Sequence, residues 1–99
     1  MDRKSLLKIK QQLKDMNRSP QGRNYREFVS IAKKLGRIED NRGKEPTYTR
    51  KREPALSPPL SIPKHPGDMK VGTARNIIDA LLSDVDDWEL YLVDSETEE

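Results

Sequence analysis

The sequence predicts a small α+β protein in which helices pack on one face of a three-stranded antiparallel sheet, with an N-terminal helix ahead of that unit and an acidic extension behind it. Three observations point there. Apolar residues recur at three- and four-residue steps in three separate stretches. Between the second and third of these the period shortens, and turn residues and prolines punctuate short runs of β-type composition. Finally, 99 residues of which 32% are hydrophobic and 36% charged can bury only one modest core.

Leu6, Ile9, Leu13 and Met16 share one helical face, while Lys4, Lys8 and Lys14 ride elsewhere on the wheel, so residues 1–18 read as a basic amphipathic helix. Asp2 can cap its start. Ser19-Pro20 ends it, because the residue before a proline is pushed out of the helical region. The apolar face has no aromatic residue, which favours docking on the rest of the domain over lying on a membrane. In the second helix Asn24 and Glu27 make a capping-box pattern, Phe28, Ile31, Ala32 and Leu35 form the core face, and Gly36 supplies the stop.

From Arg37 onward three short strands are expected. Ile38 lies in the first, Asn41, Arg42, Gly43 and Lys44 form a turn, Thr47 to Arg50 form the second, and Leu60 to Ile62 the third. The three prolines between residues 53 and 59 exclude a central strand there. After a loop, Thr73 is expected to cap a third helix whose Ala74, Ile77, Ile78 and Leu81 face the core, with continuation to Val85 and Trp88 left open. Arg75 in its first turn opposes the helix dipole, weak evidence for a task outside the fold.

Charge divides the chain. Nineteen bases against eight acids leave +11 on residues 1–75, whereas nine acids and no base leave −9 on residues 76–99. A field as positive as the first concentrates polyanions, RNA or DNA foremost. The absence of Cys removes disulfides, thiolate metal sites and cysteine nucleophiles. One His lacks the partners a metal would need, so neither a metal nor a small-molecule cofactor is expected. No signal-type segment and no membrane span is visible, and a cytoplasmic home is expected.

The stretch Lys70-Val71-Gly72-Thr73-Ala74-Arg75-Asn76-Ile77-Ile78 resembles the Lys-x-Gly-Thr-x-Arg-x-Ile segment that opens the last helix of the HicA family of toxin-antitoxin mRNA interferases. Ile62-Pro63-Lys64-His65-Pro66-Gly67 is similar to that family's approach to the helix, and the likeness extends over about residues 19 to 82. It implies a fold like a double-stranded-RNA-binding domain, αβββα, over residues 19–83, and RNA, mRNA or double-stranded, as ligand. It also implies an antitoxin or other protein partner. The family's cleaving histidine does not carry over, because alignment on Gly43 and Tyr48 places Glu45 there. An imidazole with a pKa near ~6.5 can both remove and return protons at neutral pH, while a glutamate near ~4.3 is a poor acid. Glu45 and His65 are thus the candidate catalytic residues of a ribonuclease site that reads as degenerate.

The resemblance and the charge together make Arg42, Lys44, Arg50, Lys51, Arg52, Lys64, Lys70 and Arg75 the expected RNA-binding residues, tracking phosphates with little base specificity. Tyr48 reads as a packed sheet residue more than as a stacking platform. In the acidic segment 84–99, Trp88, Leu90 and Leu92 alternate with Glu89, Tyr91 and Val93, so its middle reads as a strand, a docking segment or a helix end. The alternative to RNA binding is a non-enzymatic interaction or assembly factor that uses its basic and acidic halves to hold macromolecular partners.

Overall fold

The computed structural model describes residues 2–40, 47–49, 59–63 and 67–97. Its element order is α1 (Arg3–Arg18), α2 (Tyr25–Lys34), β1 (Ile38–Asp40), β2 (Thr47–Thr49), β3 (Leu60–Ser61) and α3 (Val71–Thr97). The strands form one antiparallel sheet in the order β1-β2-β3, with Glu39 opposite Tyr48 and Tyr48 opposite Leu60. The chain is therefore α+β, three helices with a three-stranded sheet. The expected turn at residues 41–44, Arg50 at the end of the second strand, and the proline loop up to residue 58 lie outside the described residues.

Local chemistry sets the helix ends. The Asp2 carboxylate accepts the Ser5 N–H at 2.7 Å and so caps α1, and that backbone hydrogen bond holds its pKa below the ordinary carboxylate value. At α2 the Asn24 side chain accepts the Arg26 N–H at 2.8 Å while Glu27 accepts the Asn24 N–H at 2.9 Å, the reciprocal pattern expected from the sequence. The helix closes with Gly36 at φ +91°, its N–H bonded to the Lys33 carbonyl and the Arg37 N–H to the Ala32 carbonyl. That pair of bonds requires a left-handed residue between them, which glycine adopts without steric cost.

One core joins the three helices to the sheet through β2 and β3. Leu6, Ile9, Leu13 and Met16 of α1 bury against α3, whose Ala74, Ile77, Ile78, Leu81 and Val85 also meet Phe28, Ile31 and Leu35 of the α2 region. Tyr48, Ile62 and Met69 complete it, with Leu60 packed at the margin. Tyr48 is a sheet residue in the core, 1% exposed, and its hydroxyl donates to Glu39 at 3.3 Å. Ile38, by contrast, is exposed, because the buried place at the start of β1 is taken by Arg37.

One expectation about α3 needs correction, and one choice between readings is decided. Thr73 is not the cap: the helix starts at Val71, three residues before the Ala74 that such a cap would make first, with the Ala74 N–H bonding the Lys70 carbonyl at 2.9 Å, and Arg75 therefore lies in the second turn and not the first. The buried Met69, whose N–H donates to the Arg23 carbonyl at 2.8 Å, anchors the chain just before that turn. Of the strand, docking-segment and helix-end readings of the middle of the acidic segment, the structure shows helix. Leu81, Val85, Trp88 and Leu92 repeat at four-, three- and four-residue steps, and following that stripe keeps all four against the core at the cost of exposing Leu90. The boundary expected between residues 83 and 84 thus falls inside a continuous helix, and the segment 1–18 shares its core.

Candidate nucleic-acid interface

Ion pairs among the described residues tie the acidic helix to the basic part of the chain. Arg37, which follows α2, donates from Nε and Nη2 to the two oxygens of Asp84 in α3, at 2.5 and 2.8 Å, and from Nη1 to the Tyr48 carbonyl at 2.6 Å. Both side chains are 2% exposed, so this fork joins α2, β2 and α3 away from water. On the surface, Lys10 of α1 donates to Glu89 of α3 at 2.8 Å, and that partner raises the Lys10 pKa above its ordinary value. Neither pair was legible in the sequence, because the partners are 47 and 79 residues apart.

Many of the described cations face outward. Arg3, Lys4, Lys8, Lys14 and Arg18 of α1 are exposed, as are Arg26, Lys33 and Lys34 of α2. Of the residues expected to bind RNA, Lys70 and Arg75 are described, both exposed at the start of α3. Arg42, Lys44, Arg50, Lys51, Arg52 and Lys64 lie outside the described residues, and so do Glu45 and His65, the candidate catalytic pair.

A groove of about 670 Å³ runs between α1, the end of α2 and α3. Lys8 and Lys34 stand on its walls together with Ser5, Gln12 and Gly36, and Trp88 forms part of its lining. The indole N–H of Trp88 donates to the Leu35 carbonyl at 2.9 Å, which satisfies the end of α2 and fixes the ring. Tyr91, half-buried, meets it edge to face with ring centroids 5.8 Å apart. The groove thus sets a partly exposed aromatic beside two ammonium groups, two neutral hydrogen-bonding side chains and the Asp2 carboxylate at its α1 end; the ammonium groups attract a phosphate, and the carboxylate, already accepting the Ser5 N–H, confines it to the Lys8 and Lys34 side. The groove is not legible in the sequence because Lys8, Lys34 and Trp88 lie on three elements far apart in the chain, and the sequence offers both a helical and an alternating reading of Trp88. The helical step from Leu81 through Val85 to Trp88 is the part of the signal that the sequence does carry.

Among the described residues no cluster of His, Asp and Glu has the grouping of a metal site, and no helix is long and apolar enough to cross a membrane. Compared with protein-family models, with curated proteins and with solved structures, the chain matches none.

Proposed function

We propose that this chain is an RNA-binding protein of the HicA-like, toxin-antitoxin type, holding RNA through its basic surface without a complete cleavage site. The observation that carries the reading is the groove that Lys8 and Lys34 line together with Trp88. Ammonium groups supply a phosphate-directed, sequence-tolerant attraction, and the indole supplies a face for one base. The likeness of the Lys70 to Ile78 sequence to the HicA family supports the reading, and Lys70, just before α3, and Arg75, in its second turn, are exposed. With Glu45 standing where that family has its histidine, the reading favours binding over hydrolysis.

The test is a fluorescence-anisotropy titration of the full chain with single- and double-stranded RNA over a series of salt concentrations. Affinity that falls steeply with salt, and falls further in Lys8→Glu and Lys34→Glu at unchanged helix content, supports the proposal. No affinity at low salt refutes it and leaves the non-enzymatic assembly factor as the reading. Incubation with a long mRNA, using Glu45→Ala and His65→Ala as controls, separates binding from cleavage: fragments that appear with wild type and vanish in either variant would restore the nuclease.

A further inference from the structure

The edge of α1 turned away from the Trp88 groove carries a different surface. Arg3, Leu7, Lys10 and Lys14 follow one another at three- and four-residue steps and so form one stripe. On α3 the stripe alongside holds Asp86, Glu89, Leu90 and Val93. Arg3, Leu6 and Leu7 line the same cleft as Glu89, Leu92 and Val93. Because Lys10 is level with Glu89 while Leu6 and Leu7 are level with Leu92 and Val93, the two helices run antiparallel. Leu7, Leu90 and Val93 are 61%, 67% and 47% exposed, and they are three of the five large hydrophobic residues exposed among those described.

This two-helix face is apolar along its seam, basic on the α1 side and acidic on the α3 side. Such a face is complementary to itself in only one sense. A two-fold axis parallel to the helices sets α1 of each copy on α3 of the other, opposing ammonium to carboxylate and closing leucine and valine between them. An axis across the helices would set base on base and acid on acid, which is disfavoured. We infer that this face binds a second copy of the chain, giving an antiparallel four-helix dimer in which α1 of each subunit packs on α3 of the other. Lys14 of one copy then stands near Asp86 of the other, since each lies one turn along its helix from the Lys10–Glu89 level. The Lys8 and Lys34 groove, on the other edge of α1, stays open in both copies.

Sedimentation equilibrium of the full chain at low and high salt tests this. A monomer–dimer equilibrium with a dissociation constant of about 10 μM or tighter at low salt, weakening as salt rises, is expected. Leu7→Glu and the uncharged Leu90→Ser change exposed residues only, and each is expected to weaken association at least tenfold with the circular-dichroism spectrum unchanged. Lys14→Glu and Asp86→Lys should each weaken it, and together restore it. A chain that is monomeric at every concentration overturns the inference, even if it captures some other protein. So does a dimer indifferent to both Leu7→Glu and Leu90→Ser, or a charge swap that fails to rescue.

Discussion

Asp84→Asn tests the central contact of this fold. The substitution keeps the volume and one acceptor oxygen but removes the Asp84 charge from the Arg37 guanidinium, 2% exposed. Removing one partner of a buried ion pair costs about 3–5 kcal/mol, because the remaining charge stays desolvated. The amide still accepts one hydrogen bond, which puts the expected loss near the lower end, about 3 kcal/mol. A domain of this size holds roughly 5–15 kcal/mol of stability, so the loss is a fifth or more of the total. At about 4–8 °C per kcal/mol it lowers the melting temperature by roughly 12–24 °C. Urea denaturation read by Trp88 fluorescence and by far-ultraviolet circular dichroism measures it, with coincident transitions as the check on two-state behaviour. The companion variant Arg37→Met with Asp84→Leu removes both charges at similar volume. It is expected to recover most of the loss, less about 1 kcal/mol for the hydrogen bond that Arg37 gives to the Tyr48 carbonyl. An Asp84→Asn melting temperature within about 2 °C of wild type would refute the argument. A double variant no better than the single one would do the same.

Gly36→Ala forces a Cβ into the left-handed conformation at φ +91° that ends α2, and a destabilisation of about 1–2 kcal/mol is expected in the same denaturation assay. Trp88→Phe keeps most of the packing but leaves the Leu35 carbonyl without its indole donor, which should cost about 1 kcal/mol by circular-dichroism melting; no loss would mean that water replaces the indole there. Burial, helped by the Glu39 carboxylate beside the hydroxyl, pushes the Tyr48 pKa above its ordinary value near ~10. Below the unfolded-state value the phenol is protonated in both states and its contribution is intact. As pH rises past that value the unfolded chain ionises first, so stability is lost up to the folded-state pKa. Wild type should therefore lose stability through this alkaline window faster than Tyr48→Phe, and parallel pH profiles of unfolding free energy would contradict the placement of Tyr48.

Sequence alone determined the parts of this protein whose chemistry is local. The Leu6 to Met16 and Phe28 to Leu35 faces, the Asn24–Glu27 box and the Gly36 stop each depend on residues three to five apart, where helix geometry makes spacing equivalent to contact. The order of helices and strands was legible for the same reason, and so was Tyr48 as a packed residue. Tertiary structure decided the rest. From residue 84 onward the sequence offers both an alternating and a helical pattern, and only the core available to Val85, Trp88 and Leu92 selects the helix. The pairing of Arg37 with Asp84, and the groove that brings Lys8, Lys34 and Trp88 together, join residues far apart in the chain. The charge separation so visible in the sequence consequently has a different meaning in three dimensions: the acidic helix is no appendage to a basic domain but the element on which α1, α2 and the sheet assemble, because its apolar stripe is long enough to meet them all.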